Sequence, residues 1–165
     1  MNIKSILFPT DFSQHTDAAL KYASALAAEA GATLHIVYVH DVRQLNAAMG
    51  EPSSLYAVAW DDELHQARER LNRTLPTAAT VNYTQHCLTG IPDPELVKYA
   101  EDNKIDLIVM ASHGRTGLSR LLMGSVAEAV MRKAPCPVLI VRQPADKDEQ
   151  NKNLFTPSQE TRLLT

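Results

Sequence analysis

The chain has 165 residues, 45% of them apolar, and a net charge of −3 with a pI near 6.0. That length and apolar content suit one domain with a real core. They argue against a disordered chain, and the absence of basic blocks or long apolar runs argues against a general nucleic-acid binder or a membrane span.

The elements follow in order. Residues 3–9 predict a first strand, stopped by Pro9. From Ser13 the pattern turns helical, with Ala19, Ala23, Leu26 and Ala30 on one face, Asp17, Lys21 and Ser24 on another, and Gly31 as the stop. Residues 33–39 predict a second strand, followed by a loop over 40–54. A second helix then runs to about Leu75 with Leu64, Ala67, Leu71 and Leu75 inward. Residues 80–88 partly alternate and predict a half-exposed third strand that includes His86 and Cys87, turned by Gly90. Asp93 is the expected cap of a third helix, with Pro94 at its first position and Leu96, Val97 and Ala100 inward. Residues 105–111 are the fourth strand. Ser125 to about Ala134 is the fourth helix, stopped by Pro135 and Pro137, and Val138–Arg142 is a short last strand.

Alternation of strands and helices implies an open, doubly wound, mostly parallel α/β sheet with helices on both faces. Residues 1–144 are the expected domain. Residues 145–165 are expected to be a polar, flexible tail, with Leu154, Phe155, Leu163 and Leu164 leaving a docking role open. Cys87 and Cys136 are the only cysteines, too few for a disulfide framework or zinc site, and Ile6-Leu7-Phe8 is too short for a signal-peptide core; a cytoplasmic location is the expectation.

The stretch from Met110 to Ser125 is the most informative. A strand ends in a loop with Gly114, Gly117 and Gly124 and feeds a helix start, a layout suited to phosphate. The alternative is a plain connection whose glycines only make turns. In doubly wound sheets, ligands sit beyond the strand C-termini at the switch point. Here the ends of strands one and four carry Pro9-Thr10-Asp11 and Ala111-Ser112-His113-Gly114. Ser125 with Glu128 matches a capping box, or else its hydroxyl faces a phosphate. Asp11 either caps the first helix, as Ser13 or Thr16 also can, or accepts from a nucleoside hydroxyl or amine. Arg115, Arg120 and His113 are either phosphate contacts or ordinary loop residues. P-loop, G-x-G-x-x-G, H-E-x-x-H and G-x-S-x-G motifs are absent, so common NTPases, dinucleotide dehydrogenases, zincins and serine hydrolases are disfavoured. No catalytic or metal-ligating residue is assigned.

The segments Ile6-Leu-Phe-Pro-Thr-Asp-Phe-Ser13, Leu34-His-Ile-Val-Tyr-Val39, Asp106-Leu-Ile-Val-Met-Ala-Ser-His-Gly-Arg-Thr-Gly117, Leu122-Met-Gly-Ser-Val-Ala-Glu128 and Ala134-Pro-Cys-Pro-Val-Leu-Ile-Val-Arg142 resemble a single-domain universal stress protein. The resemblance implies five parallel strands in the order 3-2-1-4-5 and an adenine-nucleotide site. Its ATP-binding members carry G-x2-G-x9-G-[ST]. Gly114, Gly124 and Ser125 match that pattern, and Ala111 stands at the first glycine. By resemblance, Pro9, Asp11 and Val39 line the adenosine pocket with Met110 and Ala111 beside it, and Gly114, Gly124, Ser125 and Val126 hold ribose and phosphates. Thr10, His113 and Arg115 complete the candidate set. At Ala111 a methyl group costs little if φ is negative and weakens binding if φ is positive.

The resulting expectation is a regulatory protein that holds ATP, or AMP or ADP, with Mg²⁺ carried mainly by phosphates and waters, hydrolysing it slowly if at all. A homodimer through Val138–Val141 is expected as well. The competing expectations are a dimeric interaction protein for which nucleotide is irrelevant, and a slow ATPase.

Overall fold

The first strand shows how this sheet is built. In the computed structural model, which describes residues 2–43, 54–114 and 123–142 (backbone only at 54–59), β1 spans Ser5–Thr10 and continues through Pro9. The carbonyl of Lys4 accepts from Thr33 at the start of β2 (Thr33–Asp41), and that of Ser5 accepts from Asp106, just ahead of β4 (Leu107–Ala111). Odd-numbered main-chain groups of β1 therefore face β4. Pro9 belongs to that set and brings no N–H. Its register with β2 persists at Pro9 opposite Val37, whereas pairing with β4 stops at Leu7 opposite Ile108. The expectation that Pro9 ends the strand is corrected: it ends only one of the two ladders.

The remaining elements are α1 (His15–Ala30), α2 (Ser54–Asn72), β3 (Tyr83–Gly90), α3 (Pro92–Asp102), α4 (Ser125–Lys133) and β5 (Val138–Val141). All strand pairs are parallel, and the order is β3-β2-β1-β4-β5, as expected. Strand alternation splits the core in two. Ile6, Phe8, Leu34, Ile36 and Val109 face α1 and α2, where Ala19, Ala23 and Ala27 form a small-residue stripe beside Ala67 and Leu71. Leu7, Val37, Ile108 and Met110 face α3 and α4, against Leu96, Tyr99, Ala100, Ala127 and Val130. Asp106, the one polar residue of its apolar run, ties the sheet instead of entering β4. Its Oδ2 accepts from the N–H groups of Lys4 (2.8 Å) and Ser5 (3.0 Å).

Several local expectations change. Ser24 is fully buried, and its hydroxyl accepts from the Thr77 N–H at 3.1 Å. Leu75 and Ala30 are exposed. β2 runs on through His40 and Asp41, the first part of the expected loop, and residues 44–53 lie outside the described residues. Asp93 is not a cap. α3 begins at Pro92, where the missing N–H costs nothing, and Ile91 takes the cap position. The Asp93 carboxylate pairs with Lys133 at 3.3 Å. Gly31 does close α1 in the left-handed conformation, φ 64°. The tail lies outside the described residues.

At the β3 edge, His35 shares a hydrogen bond with the Tyr99 hydroxyl (2.9 Å), and its ring stacks near that of His86 (centroids 6.3 Å apart). Thr84 also faces it, at 3.4 Å. Burial, and then the charge of His86, hold the His35 pKa below its ordinary 6.5. A histidine whose folded pKa is lowered favours the fold when neutral. Stability is therefore complete above about pH 6.5 and declines as pH falls through the lowered value. The melting temperature should drop between pH 7.5 and pH 5, and the drop should shrink in His35→Gln. An equal drop in that variant would assign the effect to other groups.

Candidate functional site

Because β1 and β4 stop pairing below Pro9, their C-terminal ends leave a crevice. A cavity of about 260 Å³ opens there, beyond the ends of β1, β2 and β4. Its apolar side is Pro9, Val39, Met110 and Ala111. Thr10 ends β1, and Asp11 opens the turn into α1. His113, Gly114, Gly124, Ser125 and Val126 come from the loop after β4 and the start of α4. The candidate residues are thus brought together, except Arg115, which lies outside the described residues together with Gly117 and Arg120.

Ala111 sits in β4 opposite Val141 and is not among the positive-φ residues, so its methyl group is carried without backbone strain. Gly124 has φ −63° and ψ 143°, a conformation open to any residue. What its small size provides is proximity: a Cβ there would meet the Ser112 carbonyl oxygen at 3.4 Å and the Gly114 nitrogen at 3.8 Å. The Gly124 N–H donates to Ser112 O at 2.8 Å and pins α4 to the end of β4. Gly114 is tighter still, since a Cβ would lie 2.8 Å from Asp11 Oδ2.

The expected capping box does not form. Gly124, not Ser125, is the N-cap, so no side-chain hydrogen bond caps the helix; Glu128 instead takes Arg132 Nη2 at 2.8 Å. The first helical bond is Glu128 N–H to Gly124 O, which leaves the N–H groups of Ser125, Val126 and Ala127, all at the cavity, without acceptors in their own helix. The end of a helix so exposed attracts an anion. Asp11 is not an N-cap either: Gln14 holds that position, and Asp11 Oδ1 accepts from Ser13 N–H at 2.9 Å. His113 Nδ1 and the Ser112 hydroxyl are 2.9 Å apart, and Nε2 is buried with no hydrogen-bond partner among the described residues.

Periodicity missed Tyr38, Asp41 and Arg43 on the β2 side and Pro92 from α3, and it placed Leu96 inward without assigning it to the cavity. Arg43 Nη2 lies 2.6 Å from Asp41 Oδ2, with Nε 2.9 Å from Oδ1. This hydrogen bonding is the main reason the Asp41 carboxyl titrates below the usual range. The rule that placed the site at strand C-termini applies to β2 as well, and Asp41 lies at that end. Among the described residues no group of three His, Cys, Asp or Glu side chains is suited to a metal ion, and no helix is long and apolar enough to cross a membrane.

An open parallel sheet with a cavity at its switch point defines a doubly wound α/β protein. The chain belongs to the universal stress protein family, whose model matches residues 2–142. It is 38% identical over 142 residues to universal stress protein MJ0531 of Methanocaldococcus jannaschii, covering 86% of this chain and 83% of that one. It is 33% identical over 155 residues to MJ0577 of the same organism, covering 85% and 95%. The solved structure of MJ0577 superposes with a TM-score of 0.75 at 28% identity, over 88% of this chain and all of that one. A universal stress protein crystallised in complex with cAMP superposes with a TM-score of 0.56 at 25% identity, over 86% and 98%.

Proposed function

We propose that this is a cytoplasmic stress-response protein that holds an adenine nucleotide as a regulatory ligand. The nucleoside lies between Pro9–Asp11 and Val39, and the phosphates lie at Gly114, Gly124 and the start of α4. The observation that carries this reading is the uncapped α4 N-terminus opening on the cavity. His113, whose Nε2 has no hydrogen-bond partner among the described residues, lines the same end of the cavity. A similar fold with bound cAMP supports the adenine class. Mg²⁺ accompanying the nucleotide would be held mainly by phosphates and waters. Calorimetric titration with ATP, ADP and AMP, with and without Mg²⁺, is the test. Absence of heat and of thermal shift at millimolar nucleotide rejects the reading.

Such a site retains nucleotide better than it hydrolyses it. Asp11 holds the Ser13 N–H with Oδ1 and packs Oδ2 against Gly114, and His113, the other candidate base, has its Nδ1 engaged by Ser112. Turnover should stay below about 1 per second, the lower end of ordinary enzymes. A faster steady-state rate that vanishes in His113→Ala would make this protein an ATPase.

We also propose a homodimer through β5. That strand is four residues long, apolar and at the sheet edge, with Leu139 exposed. Two copies pair about a two-fold axis. Light scattering should give twice 18.2 kDa. Leu139→Lys should give monomer and is a cleaner probe than Ile140, which packs on the core. A wild-type monomer at micromolar concentration refutes this.

A further inference from the structure

Phe12, between Asp11 and Ser13 in the turn from β1 to α1, has φ 62°. A bulky side chain in the left-handed region is strained and persists only where its surroundings hold it there. Four contacts do so. The Thr10 hydroxyl oxygen accepts from the Phe12 N–H at 3.0 Å. Tyr38 stacks on the Phe12 ring at a centroid distance of 4.6 Å. The Arg70 guanidinium lies over the same ring, with Cζ 4.6 Å from the centroid, and Arg70 Nη2 donates to the Phe12 carbonyl at 3.1 Å.

Two of the four contacts come from one exposed side chain on α2, outside the cavity lining. The residue they fix is joined directly to Asp11, whose Oδ1 accepts from the next N–H, that of Ser13. We propose that Arg70 is a positioning residue for the Asp11 carboxylate, acting through Phe12. The inference rests on the nucleotide reading above and extends the site to Arg70, which does not line the cavity. A planar guanidinium covers the ring and reaches the carbonyl at once; a lysine ammonium does not make both contacts in that geometry.

The test is a double-mutant cycle with ATP and with adenosine, plus amide exchange on the ligand-free protein. Arg70→Ala should weaken both ligands by about the same factor, roughly five- to tenfold, because the lost order is at the nucleoside end. Arg70→Lys should recover only part of the loss. In an Asp11→Asn background, Arg70→Ala should add less than about twofold, as expected for residues that act as one unit. The Ser13 amide should exchange faster in Arg70→Ala at an unchanged melting temperature. Additive losses, or wild-type affinity in Arg70→Ala, overturn the inference and leave the nucleotide reading standing. A wild type that binds neither ligand removes the nucleotide reading, and unchanged Ser13 exchange then overturns the positioning role as well.

Discussion

Gly124→Leu should abolish measurable nucleotide binding while leaving the fold intact. The backbone at 124 is extended with negative φ, so a side chain there meets no conformational penalty. Its Cβ would sit 3.4 Å from Ser112 O and 3.7 Å from His113 Cα, which the chain tolerates with small shifts. Gly124 lines the cavity, and a leucine side chain entering it would keep an anion from the N–H groups of Ser125 and Val126. Charge-assisted hydrogen bonds contribute about 1.5–3 kcal/mol each. Loss of two should weaken binding by roughly a hundredfold or more. Gly124→Ala should be far milder, and Ser125→Ala milder too, costing about 0.5–1.5 kcal/mol for one hydrogen bond. Titration of the three variants beside melting curves decides it. If Gly124→Leu binds like wild type, the phosphates are elsewhere.

Phe8→Ala should be the most damaging single truncation in the core. Phe8 is 1% exposed in the central strand and packs among Ile6, Ile36 and Val109 under the alanine stripe of α1. Removing a buried phenyl ring costs about 3–5 kcal/mol, since the surroundings relax only partly into the gap. Domains of this kind have about 5–15 kcal/mol in total. The melting temperature should fall by roughly 10–20 °C. A fall of only a few degrees would mean that α1 settles into the void, which its small side chains make the relevant alternative.

The fold was legible because strands and helices differ in local pattern. The apolar runs of β1 and β4 and the spacing of Ala19 and Ala23 are local properties that the tertiary structure uses unchanged, although the buried face of α1 continues at Ala27 and not at Ala30. The order of strands came from family resemblance, since no residue spacing encodes which strands pair. Helix starts were harder. Ser125 and Asp93 are good caps in isolation, but α4 is set by the Gly124–Ser112 bond and α3 by Pro92, so the chain chose a position one or two residues earlier. Ser24 looked like a surface residue because its partner, the Thr77 N–H, is 53 positions away. The Asp11 and Gly114 positions were legible as strand ends. Arg70 was not, because its link to Phe12 spans 58 residues and depends on a stack of rings that only the fold assembles.

Pro9 gives the crevice a different origin from most binding clefts. Zipping β1 further along β4 would require a donor at position 9, and a pyrrolidine nitrogen lacks one whatever the pH, salt or temperature. The parting of the two strands is written into covalent structure, so it is no balance of weak forces that a ligand has to tip. Above that point β4 keeps only its other neighbour, with Met110 opposite Ile140 and Ala111 opposite Val141. The sheet is thus a seam sewn shut at one end and left unstitched at the other. The stitched end keeps the two halves aligned, and the loose end leaves the segments after β1 and β4 room to stand apart around the cavity.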